Sequence, residues 1–92
     1  MPNQLAGNPL VLDGSSLGTV LINGHMKVEH FEFTGYQQLT TSKAILADRT
    51  GNIVWEATGA ADGSEVRSAK VQWINGLQVL QQTDGLVLVF FE

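Results

Sequence analysis

Five times in 92 residues an Asn-Gly or Asp-Gly pair stands beside an apolar run: Asp13-Gly14, Asn23-Gly24, Asp62-Gly63, Asn75-Gly76 and Asp84-Gly85. These pairs adopt the positive φ angles of tight hairpin turns at little steric cost. Helix signals are poor. Gly is dispersed, and the stretch from Tyr36 to Thr50 is rich in Thr and lacks an i, i+3, i+4, i+7 apolar stripe. The expectation is an all-β fold, a small antiparallel β-sandwich or barrel of about seven or eight short strands.

Strands are expected at 9–13, 17–22, 25–33, 41–48, 52–58, 64–74, 77–81 and 86–92. In the fifth, Ile53, Trp55 and Ala57 share one face. In the sixth, Arg67, Ala69, Val71 and Trp73 alternate with Val66, Ser68, Lys70 and Gln72. The last strand, "LVLVFFE", is apolar on both faces, which places it in the middle of a sheet or beneath another chain. Trp55, Trp73, Val71, Ile53 and Leu88 are the expected core. For the two Trp residues, an exposed platform for stacking sugars is the functional alternative. The echo of "INGHMKV" (22–28) in "INGLQV" (74–79) is too short to tell from chance turn chemistry.

The organisation expected is one β domain over 9–92, preceded by a polar arm at 1–8. That arm, "MPNQLAGN", reads as a frayed terminus or as a segment that orders on a partner surface. A single small domain buries a modest core, so association would add buried area. Charged residues make up only 15% of the chain, a surface easier to desolvate than most.

A net charge of −4 and five scattered Lys and Arg argue against nucleic acid as a partner. The chain has no Cys, which excludes disulfides and thiolate metal sites. No apolar run reaches the roughly 20 residues of a membrane span. The start of the chain has no basic residue before its short apolar run, so a cytoplasmic origin without a signal peptide is expected.

Chemistry-bearing constellations are few. His25 and His30 fall on opposite faces of a regular strand, so they do not share a catalytic site. His30 shares a face with Glu32, and His25 with Glu29. Each pair supplies two ligands where zinc takes three or four. "TGNIV" and "TGAADGS" match no phosphate-binding fingerprint. The residues therefore point away from an enzyme, and no cofactor or metal is expected.

Three patterns go together in this chain: an early "PLVLD"; a hairpin built on Asp48, Gly51 and Trp55; and a closing hairpin with Gly76, Leu77, Val79, Asp84, Gly85, Leu86 and Val89. In these, and from about Asn8 onward, the chain resembles small all-β structural proteins of tailed bacteriophages, of the capsid decoration or cement kind. The resemblance implies a place in the virion after synthesis in the host cytoplasm. The major capsid protein or another virion protein would be the partner, and the chain would be a homo-oligomer, a trimer by preference. Head–tail adaptor, tail or fibre roles, or a small carbohydrate-binding module, are the alternatives. The shared pattern marks fold positions and carries over no functional residue. The contact residues expected are Pro2, Asn3, Gln4 and Leu5 in the arm and Phe90 and Phe91 in the last strand.

Overall fold

The computed structural model describes residues 9–14, 17–37, 40–68 and 72–91. They form seven strands: β1 Leu10–Leu12, β2 Val20–Thr34, β3 Lys43–Ala47, β4 Ile53–Thr58, β5 Val66–Arg67, β6 Gln72–Gln82 and β7 Leu86–Phe91. All pair antiparallel in one sheet of order β1-β7-β2-β6-β3-β4, with β5 paired to β2. The all-β antiparallel fold expected from the turn chemistry is the fold observed.

The three Asp-Gly pairs sit at turns or bends, but the two Asn-Gly pairs do not end strands. Asn23-Gly24 lies inside β2 and Asn75-Gly76 inside β6, facing each other across the ladder. Ile22 pairs with Leu77 and His25 with Asn75, so two residues of β2 oppose the single Gly76. This bulge, with a second between Val20 and Ile22, bends the long strands where hairpin corners are expected. The expected strands 17–22 and 25–33 are therefore one bent strand. Likewise 77–81 continues from 72, and the expected strand 64–74 divides into β5 and the start of β6. Both follow the same edge of β2, while β7 takes the other.

The sheet is open, with β1 and β4 at its edges, and the bends curl it so that strands that are not neighbours come into contact. The side-chain amide of Gln82 on β6 donates to the Leu12 carbonyl of β1 at 2.9 Å, although β7 and β2 lie between these strands. Phe31 of β2 stacks on Trp55 of β4 with centroids 5.2 Å apart. The enclosed core comprises Leu10, Leu12, Val28, Phe31, Phe33, Tyr36, Ala44, Leu46, Ala57, Ile74, Leu77, Val79, Val87 and Val89.

The expected core needs correction. Trp55 is half-buried and packs against the core, as its stack on Phe31 requires. Trp73 and Ile53, in contrast, are 68% and 57% exposed. Trp73 pairs with Lys27 on the outer side of β6, and its neighbour Ile74 turns inward to the core. In β4 an irregularity pairs Leu46 with Trp55 but Ala47 with Ile53, leaving Val54 as an extra residue that breaks the alternation. Leu88 is half-buried opposite Val11 and Glu32 and is not part of the core cluster. Val71 lies outside the described residues.

Candidate protein-contact surface

The outer side of the sheet holds the exposed apolar groups. Register places Val20, Gln78, Ala47 and Ile53 in one row across β2, β6, β3 and β4. Directly paired residues share a face, so this row is a single strip. Ala47 is fully buried yet stands outside the core cluster, as expected of a small residue covered from the outer side. Gln78 lies along the strip, and its side-chain amide donates to the Asp48 carbonyl at 2.8 Å. The next row pairs Gln81, Ile45 and Glu56, and the one after pairs Lys43 with Thr58. Leu80, also exposed, falls at the irregularity where β6 gains a residue over β3.

The two most exposed large apolar side chains of the described residues are Trp73 on β6 and Ile53 on β4. Gln72 donates from its side chain to the Val54 carbonyl at 3.4 Å, tying β6 to β4 across the intervening β3. Trp73 follows Gln72 and Ile53 precedes Val54, so this one bond draws their segments together.

The β3–β4 turn is rigidly built beside the strip. One carboxylate oxygen of Asp48 accepts from the Thr50 amide, the Thr50 hydroxyl and the Asn52 amide at 2.7–3.0 Å. These bonds, the hydroxyl's foremost, hold its carboxyl below the usual range. Arg49 donates its amide to the Asn75 carbonyl at 3.0 Å and reaches the Asn23 side chain at 3.3 Å. The turn is thus fastened to the paired Asn-Gly bulge.

A second cluster occupies the outer side of β7, β2 and β5. Glu32, 4% exposed, accepts from His30 Nε2 at 3.2 Å and from Arg67 Nη2 at 3.3 Å. His30 Nδ1 is 3.7 Å from Glu29, and Arg67 is 3.7 Å from Glu65. The His30 ring stacks on Phe90 with centroids 4.3 Å apart. Burial works against the charge on Glu32, but hydrogen bonds with Glu65, His30 and Arg67, and the guanidinium charge, outweigh it and hold the carboxyl low. Glu65 moves upward, because its hydrogen bond to Glu32 and the charge there favour its protonated form.

His30 and Glu32 share a face as expected, and His25 lies apart, opposite Asn75. Phe90 and Phe91 point apart: Phe90 stacks on His30, while Phe91 packs against the core. Pro2, Asn3, Gln4 and Leu5 lie outside the described residues. Sequence reasoning missed the exposure of Trp73 and Ile53. Strand parity carried no signal for Trp73, because Arg67 ends β5 and Trp73 belongs to β6. Among the described residues no group of three or more His, Asp or Glu is placed to hold a metal ion.

Comparison with known proteins gave no match: no family model fits the chain, and no curated protein and no solved structure is significantly similar to it.

Proposed function

We propose that this protein is a phage virion structural component, a decoration or cement protein that stabilises the head by bridging capsomers. The observation that carries the reading is the apolar outer surface, with Ile53 and Trp73 more than half exposed on paired strands of the sheet. Exposed large apolar groups on a rigid scaffold gain free energy when a partner covers them. The sequence resemblance to phage structural proteins supplies the class of partner, the major capsid protein or another virion protein. The action is passive: a ligand that binds only the assembled state shifts the equilibrium towards it.

Mass spectrometry of purified particles tests this reading. The chain is expected at a fixed ratio to the major capsid protein, and particles lacking it are expected to lose their contents at lower temperature. Its absence from mature particles removes the reading.

One observation favours a second reading, a carbohydrate-binding module. Trp73 offers an exposed indole opposite Lys27, with His25 and Asn75 one step along the same strands. An aromatic face beside polar groups suits the C–H face of a sugar. Trp73→Ala is then expected to abolish glycan binding while the protein stays folded.

A further inference from the structure

We propose that Asn23 is a site of spontaneous covalent modification, deamidated by attack of the Gly24 backbone nitrogen, while its sequence twin Asn75-Gly76 is held unreactive by the fold. This goes beyond the virion reading, since it is tested on the isolated protein whatever its partner.

Of the five Asn residues, Asn23 and Asn75 alone precede Gly; the others precede Gln4, Pro9 and Ile53. Glycine leaves the attacking backbone nitrogen unshielded, whereas the side chain of Gln or Ile crowds it. Proline has no N–H to give up. Two candidates remain, and the structure separates them.

Asn23 and Gly24 are the two residues of the β2 bulge that oppose the single Gly76. A bulge interrupts the ladder, so fewer hydrogen bonds resist local opening. Among the described residues β7 pairs with β2 only from Val28 onward, so at the bulge β2 is paired on one side alone, with β6. Asn23 is exposed, and a Cβ on Gly24 would meet nothing within 4 Å beyond its chain neighbours. The Asn23 side chain has room to swing over the next amide.

Arg49 orients the reacting group. Its Nη1 donates to Asn23 Oδ1 at 3.3 Å. A guanidinium only donates, so the carbonyl oxygen faces it and Nδ2 is the free end of the side chain. In the reaction the Gly24 nitrogen gives its proton to solvent and bonds to Asn23 Cγ. The carbonyl electron pair moves onto Oδ1, where the charge on Arg49 stabilises it. When the carbonyl re-forms, the Cγ–Nδ2 bond breaks and Nδ2 leaves as ammonia, taking a proton from water. Water then opens the cyclic imide at either carbonyl, giving aspartate or isoaspartate at position 23. The new carboxylate is ionised at neutral pH and adds one negative charge to the net −4, beside Arg49.

Asn75-Gly76 lacks that freedom. Gly76 is buried at φ +85°, and a Cβ there would lie 2.6 Å from the Arg49 Cβ and 2.8 Å from the Ile22 carbonyl. The Asn75 carbonyl accepts from the Arg49 amide at 3.0 Å, so turning this peptide breaks the contact between turn and bulge. One arginine thus immobilises one pair and activates the other.

Peptide mapping by mass spectrometry, after incubation of the full chain in warm, mildly alkaline buffer, tests the inference. Cleavage after Lys27 and Lys70 puts the two pairs in different peptides. The mass gained when an amide becomes an acid distinguishes deamidation from isomerisation at Asp13 or Asp84, which leaves mass unchanged. In the folded protein Asn23 is expected to convert at least about tenfold faster than Asn75, a barrier difference of about 1.4 kcal/mol. In urea the two are expected to react at similar rates. Gly24→Ala, which shields the attacking nitrogen, is expected to slow conversion at position 23 at least about tenfold while circular dichroism stays unchanged. Arg49→Met keeps the stem over Gly76 without the cation, and is expected to slow it at least about threefold. Equal rates in the folded protein overturn the inference, as does faster conversion of Asn75. So does an Asn23 that survives intact while the urea-unfolded chain converts. A rate that Arg49→Met leaves unchanged or raises overturns the part assigned to the guanidinium.

Discussion

Gly76 packs beneath Arg49. A Cβ on Gly76 would lie 2.6 Å from the Arg49 Cβ and 2.8 Å from the Ile22 carbonyl, and its φ is +85°. Its opposite number, Gly24, has open space around it and no positive φ. The two Asn-Gly pairs look alike in sequence, but only one needs its glycine. Gly76→Ala is expected to cost about 2–4 kcal/mol, from left-handed backbone strain and overpacking together. Gly24→Ala is expected to change stability by no more than about 0.5–1 kcal/mol, in the stabilising direction, since a strand-interior glycine is itself a liability. Urea denaturation of the two variants measures both. Equal losses would contradict the close approach of the β3–β4 turn to the bulge.

The two tryptophans are expected to separate in the same assay. Trp55 stacks on the buried Phe31, and truncating it removes this contact between β4 and β2. Trp55→Ala is expected to cost about 2–4 kcal/mol, somewhat below a fully buried aromatic. Trp73→Ala, at an exposed site, is expected to stay within about 0.5 kcal/mol of the parent. Any binding lost in Trp73→Ala is then assignable to the surface itself.

Tyr36 ties the loop after β4 to the core. Its ring stacks on Phe33 at 5.0 Å, and its hydroxyl donates to the Ser64 carbonyl while accepting from the Ala60 amide. Tyr36→Phe keeps the ring and orphans both backbone groups. The expected cost is about 1–3 kcal/mol. Hydrogen exchange is expected to speed up at Ala60, with the β2–β7 ladder unaffected.

The Glu32–Glu65 pair gives a pH dependence with a defined sign. Glu32 is held below its usual range, so it contributes stability that is present above the ordinary carboxylate pKa and lost as pH falls through the lowered one. Glu65 is raised, so ionising it costs stability as pH rises through its folded value. Gln mimics the protonated form of Glu65 and can still donate to Glu32. Glu65→Gln is therefore expected to raise the melting temperature at pH 7, and the gain is expected to vanish below about pH 4, where both forms are neutral. A gain that persists unchanged at low pH would contradict this linkage.

Much of the fold was legible because turn chemistry and strand pattern agreed. The hairpin from Lys43 to Gly59 forms where expected, with Asp48 organising its corner. The Asn-Gly pairs misled because the positive φ of Gly76 serves a mid-strand bulge as readily as a hairpin corner. The outer surface was harder to read. Ile53 looked like core because alternation assumes an unbroken strand, and the extra Val54 breaks it. Trp73 looked like core because large aromatics usually are. Alternation from Arg67 was no guide either, because β5 ends there and Trp73 belongs to β6. The Glu32 cluster was half visible: the His30–Glu32 pairing follows from strand period, whereas Arg67 arrives from 35 positions along the chain by β5 pairing.

On the proposed reading, the apolar outer face around Ile53 is where this chain meets protein. Site-specific photocrosslinking probes that contact, with p-benzoylphenylalanine placed at Ile53 or, as a control, at Ala61, in protein assembled into particles. The expected result is a strong protein adduct from position 53, to a second copy or a virion protein, and little from position 61. Equal yields at both positions, or no adduct at 53, would contradict the claim.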